Sequence, residues 1–369
     1  MLLMWALVAC APLGKNWDAR EPVPILDAAR KSPVPEWQGE LKVLAWNVKY
    51  GAARVPFWFD GFGDRVIMDE RVVVNNLEGL KALIEEFDPD IVLAEEIERG
   101  SKRSAYVDMV RWLLDDRDLG FNHAAYAPNW QVGYVPDSGV GRVDMGNALF
   151  SRYPITEAFR VDQGPLEEQD ALTKFFYLDR SLLEAKLDLP SGPLTVFVAH
   201  PDAYSTDGTK LRQVEQLYDL GAEVKGDVLV GGDLNVLPPG SLRLSDFADE
   251  SDVSGNRGVG TVTYEGEEEV LVPFYDLWEA CDEEDHGDGR LTLASYMAAT
   301  GEVDQEPWMS HSLSEDFFWT QRLDYLFSNR SWREGWVVQT PDDGPADRSI
   351  PDPLILSDHA PVWGVLELP

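Results

Sequence analysis

An α/β fold is predicted by two patterns that alternate along the chain and a third that repeats where they meet. Short apolar runs such as Val228-Leu229-Val230 are too short for a surface helix and read as strands buried on both faces. Between runs of this kind stand helical stripes, the clearest being Val73, Leu77, Leu80, Ile84 and Phe87, spaced four, three, four and three. The strand-like runs end on polar or ionisable residues: Asn47, Glu96, His200, Asp233, Asn235, Asp324, Asp358 and His359. Strand ends are where open α/β sheets place their ligands.

Taken in order, residues 11–40 are rich in Pro and charge and read as a tether or extended lead-in. A strand follows over Leu41–Val48 and stops at Asn47. The amphipathic helix covers Glu70–Phe87, closed by Asp88-Pro89-Asp90, and Ile91–Ala94 forms a short strand running into a loop with Glu95, Glu96 and Glu98. Three carboxylates so close together repel one another; they suit either a solvated loop or a divalent cation, because hard cations take oxygen ligands. A second helix is expected over Ser104–Leu114, with Tyr106, Val110, Leu113 and Leu114 inward. Phe121–Asp144, aromatic and Gly-rich without a period, reads as a loop over the site, with His123, Tyr126, Asn129, Trp130 and Tyr134 as candidate substrate contacts. Strands are expected at Met145–Phe150, Arg180–Leu187 and Leu194–Ala199, then a helix over Thr209–Leu220 capped by Ser205, Thr206 and Asp207. In Asp227–Asn235 an apolar run delivers a carboxylate and a carboxamide two residues apart, and its glycines allow close backbone approach. An acidic insertion spans about 240–316, with an ordered piece at Phe274–Trp278; a strand with a buried Asp324 follows, then Ser357-Asp358-His359 leading into a last strand.

Composition narrows the function. The 369 residues carry a formal charge of -35 and are 44% hydrophobic, enough for a sizeable core. A surface this acidic repels polyanions, so binding of long duplex DNA is not expected. Cys10 and Cys281 are too few for a disulfide framework and have no metal-ligand spacing, and no nucleophile elbow is present. Met1–Ala9 is apolar, and Leu7-Val8-Ala9-Cys10 resembles the lipobox of bacterial lipoproteins, although no basic segment precedes it. Export, to the periplasm or to a membrane tether through Cys10, is the expectation; a cytoplasmic protein is the alternative. The strand-end groups are dispersed from Asn47 to His359, which favours one catalytic domain over 41–369, expected to act as a monomer.

The order and spacing of these motifs resemble the endonuclease/exonuclease/phosphatase superfamily, with its deoxyribonuclease-I-like fold. The resemblance rests on Trp46-Asn47, Asp90-Ile91-Val92-Leu93-Ala94-Glu95-Glu96, Gly146-Asn147 through Tyr153-Pro154, Ala199-His200, Gly232-Asp233-Leu234-Asn235, Arg322-Leu323-Asp324-Tyr325 and Ser357-Asp358-His359-Ala360-Pro361-Val362. It implies a four-layer α/β sandwich, two mixed sheets face to face with helices outside. It further implies a phosphoesterase dependent on Mg²⁺, with Mn²⁺ or Ca²⁺ as alternatives, acting on phosphodiester or phosphomonoester bonds by activated water. Glu96 would ligate the metal with Asn47 and Asp358 close by; Asp233 and Asn235 would orient water and phosphate; Asp324 would hold His359; His200 would stabilise the phosphorane or protonate the leaving oxygen. Whether His359 or Asp233 takes the proton is open. The usual Gln before the metal-binding Glu is Glu95, and Lys49 stands where the family's apurinic-site nucleases tend to carry Asp. Two rivals are an extracellular nuclease acting on DNA or RNA, supported if Arg103, Arg111, Arg152 and Arg322 cluster beside the site, and an inactive binding module of the same fold.

Overall fold

The computed structural model describes residues 17–57, 65–135, 139–167, 169–170, 174, 176–241, 243–245, 247, 263–281, 308–312, 319–343 and 351–368. The possible leader at Met1–Ala9, Cys10 and most of the acidic insertion lie outside them.

Two seven-stranded mixed sheets face each other. One contains β3 (Glu40–Asn47), β4 (Ile91–Glu98), β5 (His123–Val135), β6 (Gly141–Ser151), β13 (Trp332–Val337), β14 (Val362–Glu367) and β2 (Ile25–Asp27), in the order β13-β14-β3-β4-β6-β5-β2. The other contains β1 (Arg20–Pro22), β7 (Ile155–Gly164), β8 (Arg180–Leu189), β9 (Gly192–Ala199), β10 (Asp227–Asp233), β11 (Glu279–Ala280) and β12 (Asp324–Ser328), in the order β1-β7-β8-β9-β10-β12-β11. Strand periodicity builds the layers. In β3, Leu41, Val43 and Ala45 pack between the sheets with Leu93, Leu149, Val196, Val198 and Leu229, while Leu44 and Trp46 face outward. Helix α1 (Glu70–Phe87) covers that outer face with Val73, Leu77, Leu80, Leu83, Ile84 and Phe87, joined by α2 (Met109–Leu114). On the opposite flank, Val214 and Leu217 of α3 (Thr209–Ala222) and Phe274 of α4 (Val272–Leu277) pack on Phe197, Val228, Val230 and Phe327. A short α5 (Pro353–Leu356) precedes β14. The result is the four-layer sandwich.

Several local expectations are corrected. Residues 121–144 are not a loop over the site: β5 and β6 pair antiparallel from His123 against Ser151 to Val135 against Gly141. Polar Asn129 sits buried in β5 and bonds at 2.9 Å to Asn147 of β6, where a strand is expected over Met145–Phe150, so it is β5 that no apolar alternation marks. The second helix begins at Met109 rather than Ser104, because the Asp108 side chain caps the Arg111 amide and Ala105 and Tyr106 take left-handed backbone; Tyr106 is exposed. Glu95 to Glu98 continue β4 past an irregularity between Ala94 and Ile97 instead of forming a loop. Within the stretch read as a lead-in, β1 pairs with β7 and β2 with β5, adding an edge strand to each sheet.

Candidate active site

Strand register brings the predicted residues to one end of the sandwich. Asn47 and Glu95 are partners in the parallel β3/β4 pair, and Gly232 lies beside Ala199 in the parallel β9/β10 pair, immediately before Asp233 and His200. Asp233 and Asp324 are direct cross-strand partners in the antiparallel β10/β12 pair. The loop before β14 is stitched to β3 by two buried bonds: Trp46 Nε1 donates to the His359 carbonyl at 2.8 Å, and Ser357 Oγ to the Asn47 carbonyl at 2.8 Å. Gly232 adopts a φ of +129°, and a Cβ there would stand 2.2 Å from the Ala199 carbonyl oxygen and 2.8 Å from Glu95 Oε1, so only glycine lets these strands close. Glu96 and Asn235 both hold φ of 54°, with Lys49 and Tyr50 at 42°. Left-handed backbone at non-glycine residues is strained, and these four of the eight such residues described line one cleft.

The cleft, of about 170 Å³, is lined by Lys49, Glu96, His200, Asp233, Asn235, Asp358 and His359 among others. His359 Nδ1 bonds to Asp324 Oδ2 at 2.9 Å, and its Nε2 lies 3.6 Å from Asp233 Oδ2. His200 Nε2 lies 3.4 Å from the same oxygen and 3.8 Å from Glu96 Oε1. Asn47 Nδ2 donates to Asp233 Oδ2 at 3.1 Å. Asn235 turns its carboxamide Nδ2 to the Pro201 carbonyl at 3.1 Å, while its amide N–H donates to Asp233 Oδ1 at 3.0 Å. Asp358 is ion-paired to Lys49 at 2.8 Å, both side chains buried.

These contacts set the charges. Burial opposes charge on His359, but Asp324 and Asp233 outweigh it and push the imidazole up to about 10. Burial alone is the main force on His200 and drives it well below the ordinary value, with Arg180 and His359 adding repulsion. Asp233 is pushed up to about 7 by burial and the neighbouring Asp324, against the attraction of His359. Burial would raise Asp358, yet Lys49 and His359 hold it well below the usual carboxylate range. Glu95 is fully buried with neither oxygen hydrogen-bonded, and burial with Asp324 and Asp233 pushes it far up.

Asp233, Asp324 and His359 offer ligand atoms within 4.8 Å of one another. Because His359 Nδ1 is already bonded to Asp324, this trio has the geometry of an oriented imidazole rather than three free ligands. The Glu96 carboxylate faces the cleft with burial and Asp358 raising it, and no hydrogen-bond donor closer than His200 reaches it among the described residues. Its oxygens, in a cleft that Asp358 also lines, are hard donors of the kind a divalent cation takes, while Asp358 itself is held by Lys49 and the Asn47 carboxamide by Asp233 and the Lys49 amide.

A model of the endonuclease/exonuclease/phosphatase family matches residues 44–359. The chain belongs to this family. Among solved structures it is similar to the endonuclease/exonuclease/phosphatase from Beutenbergia cavernae DSM 12333, at TM-score 0.55 and 19% identity over 90% of this chain and 72% of that one. It is also similar to an endonuclease/exonuclease/phosphatase family protein from Leptotrichia buccalis C-1013-b, at TM-score 0.50 and 14% identity over 89% of this chain and 99% of that one. At such identities the likeness shows the fold. No curated protein sequence matches the chain.

Of the candidate substrate contacts, Trp130 lines the cleft, whereas Tyr126 is tied to Asp144 at 2.9 Å, Asn129 to Asn147 and Ser181, His123 to Asp27 at 2.9 Å, and Tyr134 is exposed. The four arginines do not cluster. Arg111 and Arg152 bond to Asp27 and Asp88 away from the cleft, Arg322 is buried against the Trp308 carbonyl, and only Arg103 reaches the cleft, ion-paired to Glu98 at 2.7 Å. Among the cleft residues not foreseen as participants are Lys49, Arg180 and His311, whose ring lies 4.6 Å from that of His359. His311 sits inside the acidic insertion, where charge masks any motif.

Proposed function

We propose that this family member is a divalent-metal-dependent hydrolase that cleaves a phosphodiester or phosphomonoester of a small or lipid-linked molecule with an activated water. Endonucleases, exonucleases and phosphatases all break phosphate esters with water, and the observation that carries the reading here is the Asp324–His359 pair directed at Asp233. His359, kept protonated by its two carboxylates, offers positive charge and a donor to phosphate oxygens. Asp233, pushed up to about 7 by burial, is matched to take a proton from water at neutral pH, which favours it over His359 as the base. His200, neutral and within reach of the same oxygen, suits a hydrogen bond to the phosphate or the leaving oxygen. Asn47 orients Asp233, and the Asn235 amide holds its other oxygen. Glu96, with Asn47 and Asp358, would hold Mg²⁺, which when bound supplies charge to offset that developing on the phosphate.

The charge of -35 and the scattered arginines speak against a polynucleotide substrate. A lipid anchor at Cys10, if the leader is processed, would put the cleft near a membrane surface; no helix among the described residues is long and apolar enough to cross one. The test compares Mg²⁺-dependent turnover of a chromogenic phosphodiester, its phosphomonoester counterpart and plasmid DNA, with His359→Ala as control. Ester turnover without nicking is expected. Nicking lost in His359→Ala would replace this reading with the nuclease, and silence on all three would favour a binding module.

A further inference from the structure

Three Lys and Arg side chains line the cleft, and the chain answers two of them. Lys49 has Asp358 at 2.8 Å, and Arg103 has Glu98 at 2.7 Å. Arg180, the first residue of β8, is 6% exposed, yet its Nε and Nη1 are buried without a hydrogen-bond partner, and no ion pair among the described residues includes it. Scarcity of acid does not explain this: the sequence holds 66 Asp and Glu against 31 Lys and Arg. Stripping water from a guanidinium and giving it no acceptor is unfavourable, and a native protein that keeps such a group does so for a reason, of which a ligand that completes the bonds is one. The position fits that account. Arg180 lines the same cleft as Glu96, His200 and Asp233, and its charge is felt at both His200 and Glu96. Donor nitrogens on more than one side of the guanidinium call for an acceptor with several oxygens, and a tetrahedral oxyanion has them.

We infer that Arg180 receives a non-bridging oxygen of the substrate phosphate, so that the cleft recognises the anion through the chain itself as well as through any bound metal. The inference rests on the phosphoesterase reading and adds a residue that touches substrate. Arginine at this place does what lysine would do only in part, because an ammonium is a point charge without the planar set of donors.

Calorimetric titration of inorganic phosphate into the full chain in Mg²⁺ buffer tests this without requiring turnover, so an inactive protein and a failed inference give different results. Arg180→Gln should weaken phosphate binding at least tenfold, and Arg180→Lys should recover part of it. Thermal melting supplies the second readout: with an unanswered buried charge removed, Arg180→Gln should melt no lower than the wild-type chain. A Gln variant that binds phosphate as the wild type does overturns the inference, as does a wild-type chain that binds no phosphate. A Gln variant that melts several degrees lower with phosphate binding intact would mark Arg180 as structural and overturn it equally.

Discussion

His200 and His359 are both buried strand-end histidines, and their Nε2 atoms stand 3.4 Å and 3.6 Å from the same oxygen of Asp233. Their other nitrogens differ. His359 Nδ1 meets Asp324 at 2.9 Å, while His200 Nδ1 is buried with no partner among the described residues. The first ring is consequently pushed up to about 10 and the second driven well below the ordinary histidine value. What stands behind an imidazole, more than what it faces, decides whether it serves as a cation or as a neutral hydrogen-bonding group.

The comparison can be broken from its strongest side. His359→Ala removes the cation and should lower kcat by roughly 1,000-fold while circular dichroism stays native, within the usual range for a proton-handling side chain. Asp324→Asn keeps the ring but removes the charge behind it; turnover should fall about 100-fold, and His359 should titrate closer to 6.5, erasing much of the difference between the two histidines. Glu96→Gln touches neither ring and should raise the Mg²⁺ concentration for half-maximal activity about tenfold, since outer and inner metal contacts carry effects of that order; an unchanged metal titration would place the ligand elsewhere. The mildest test is stability against pH in the metal-free chain. Folded His359 keeps a proton that the unfolded chain releases near 6.5, so its contribution is full below that value and is lost as pH rises towards about 10. His200 works oppositely: the unfolded chain takes up a proton that the folded chain refuses, so stability falls as pH drops below about 6.5. Chemical denaturation across this range should show the alkaline loss disappear in His359→Gln and the acid loss shrink in His200→Gln.

Asn47, His200 and Asp233 were legible because each ends an apolar run, and a polar group at a strand end is a local signal. Asn47, His200 and Asp233 stand where that signal put them, and α1 runs over Glu70–Phe87 as its stripe predicts. What sequence could not show is pairing. Nothing local tells that Lys49 neutralises Asp358 across the chain, or that Arg180, an ordinary arginine at the start of β8, has no counter-ion among the described residues. Strand β5 escaped for a related reason: its buried Asn129 is satisfied by Asn147 of β6, a strand that is expected over Met145–Phe150, so an inward position of β5 looks polar in sequence. The arginine cluster failed because Arg111, Arg152 and Arg322 are each occupied by acceptors elsewhere.

The most direct test of the division between the two histidines is a side-chain NMR titration of the metal-free chain, in which only five histidines need assignment, with His200→Gln and His359→Gln identifying the two rings. At pH 8 the His359 ring should be protonated on both nitrogens and the His200 ring neutral. Two rings that titrate together near the ordinary value of about 6.5 would contradict the roles given to Asp324, His359 and Asp233 alike.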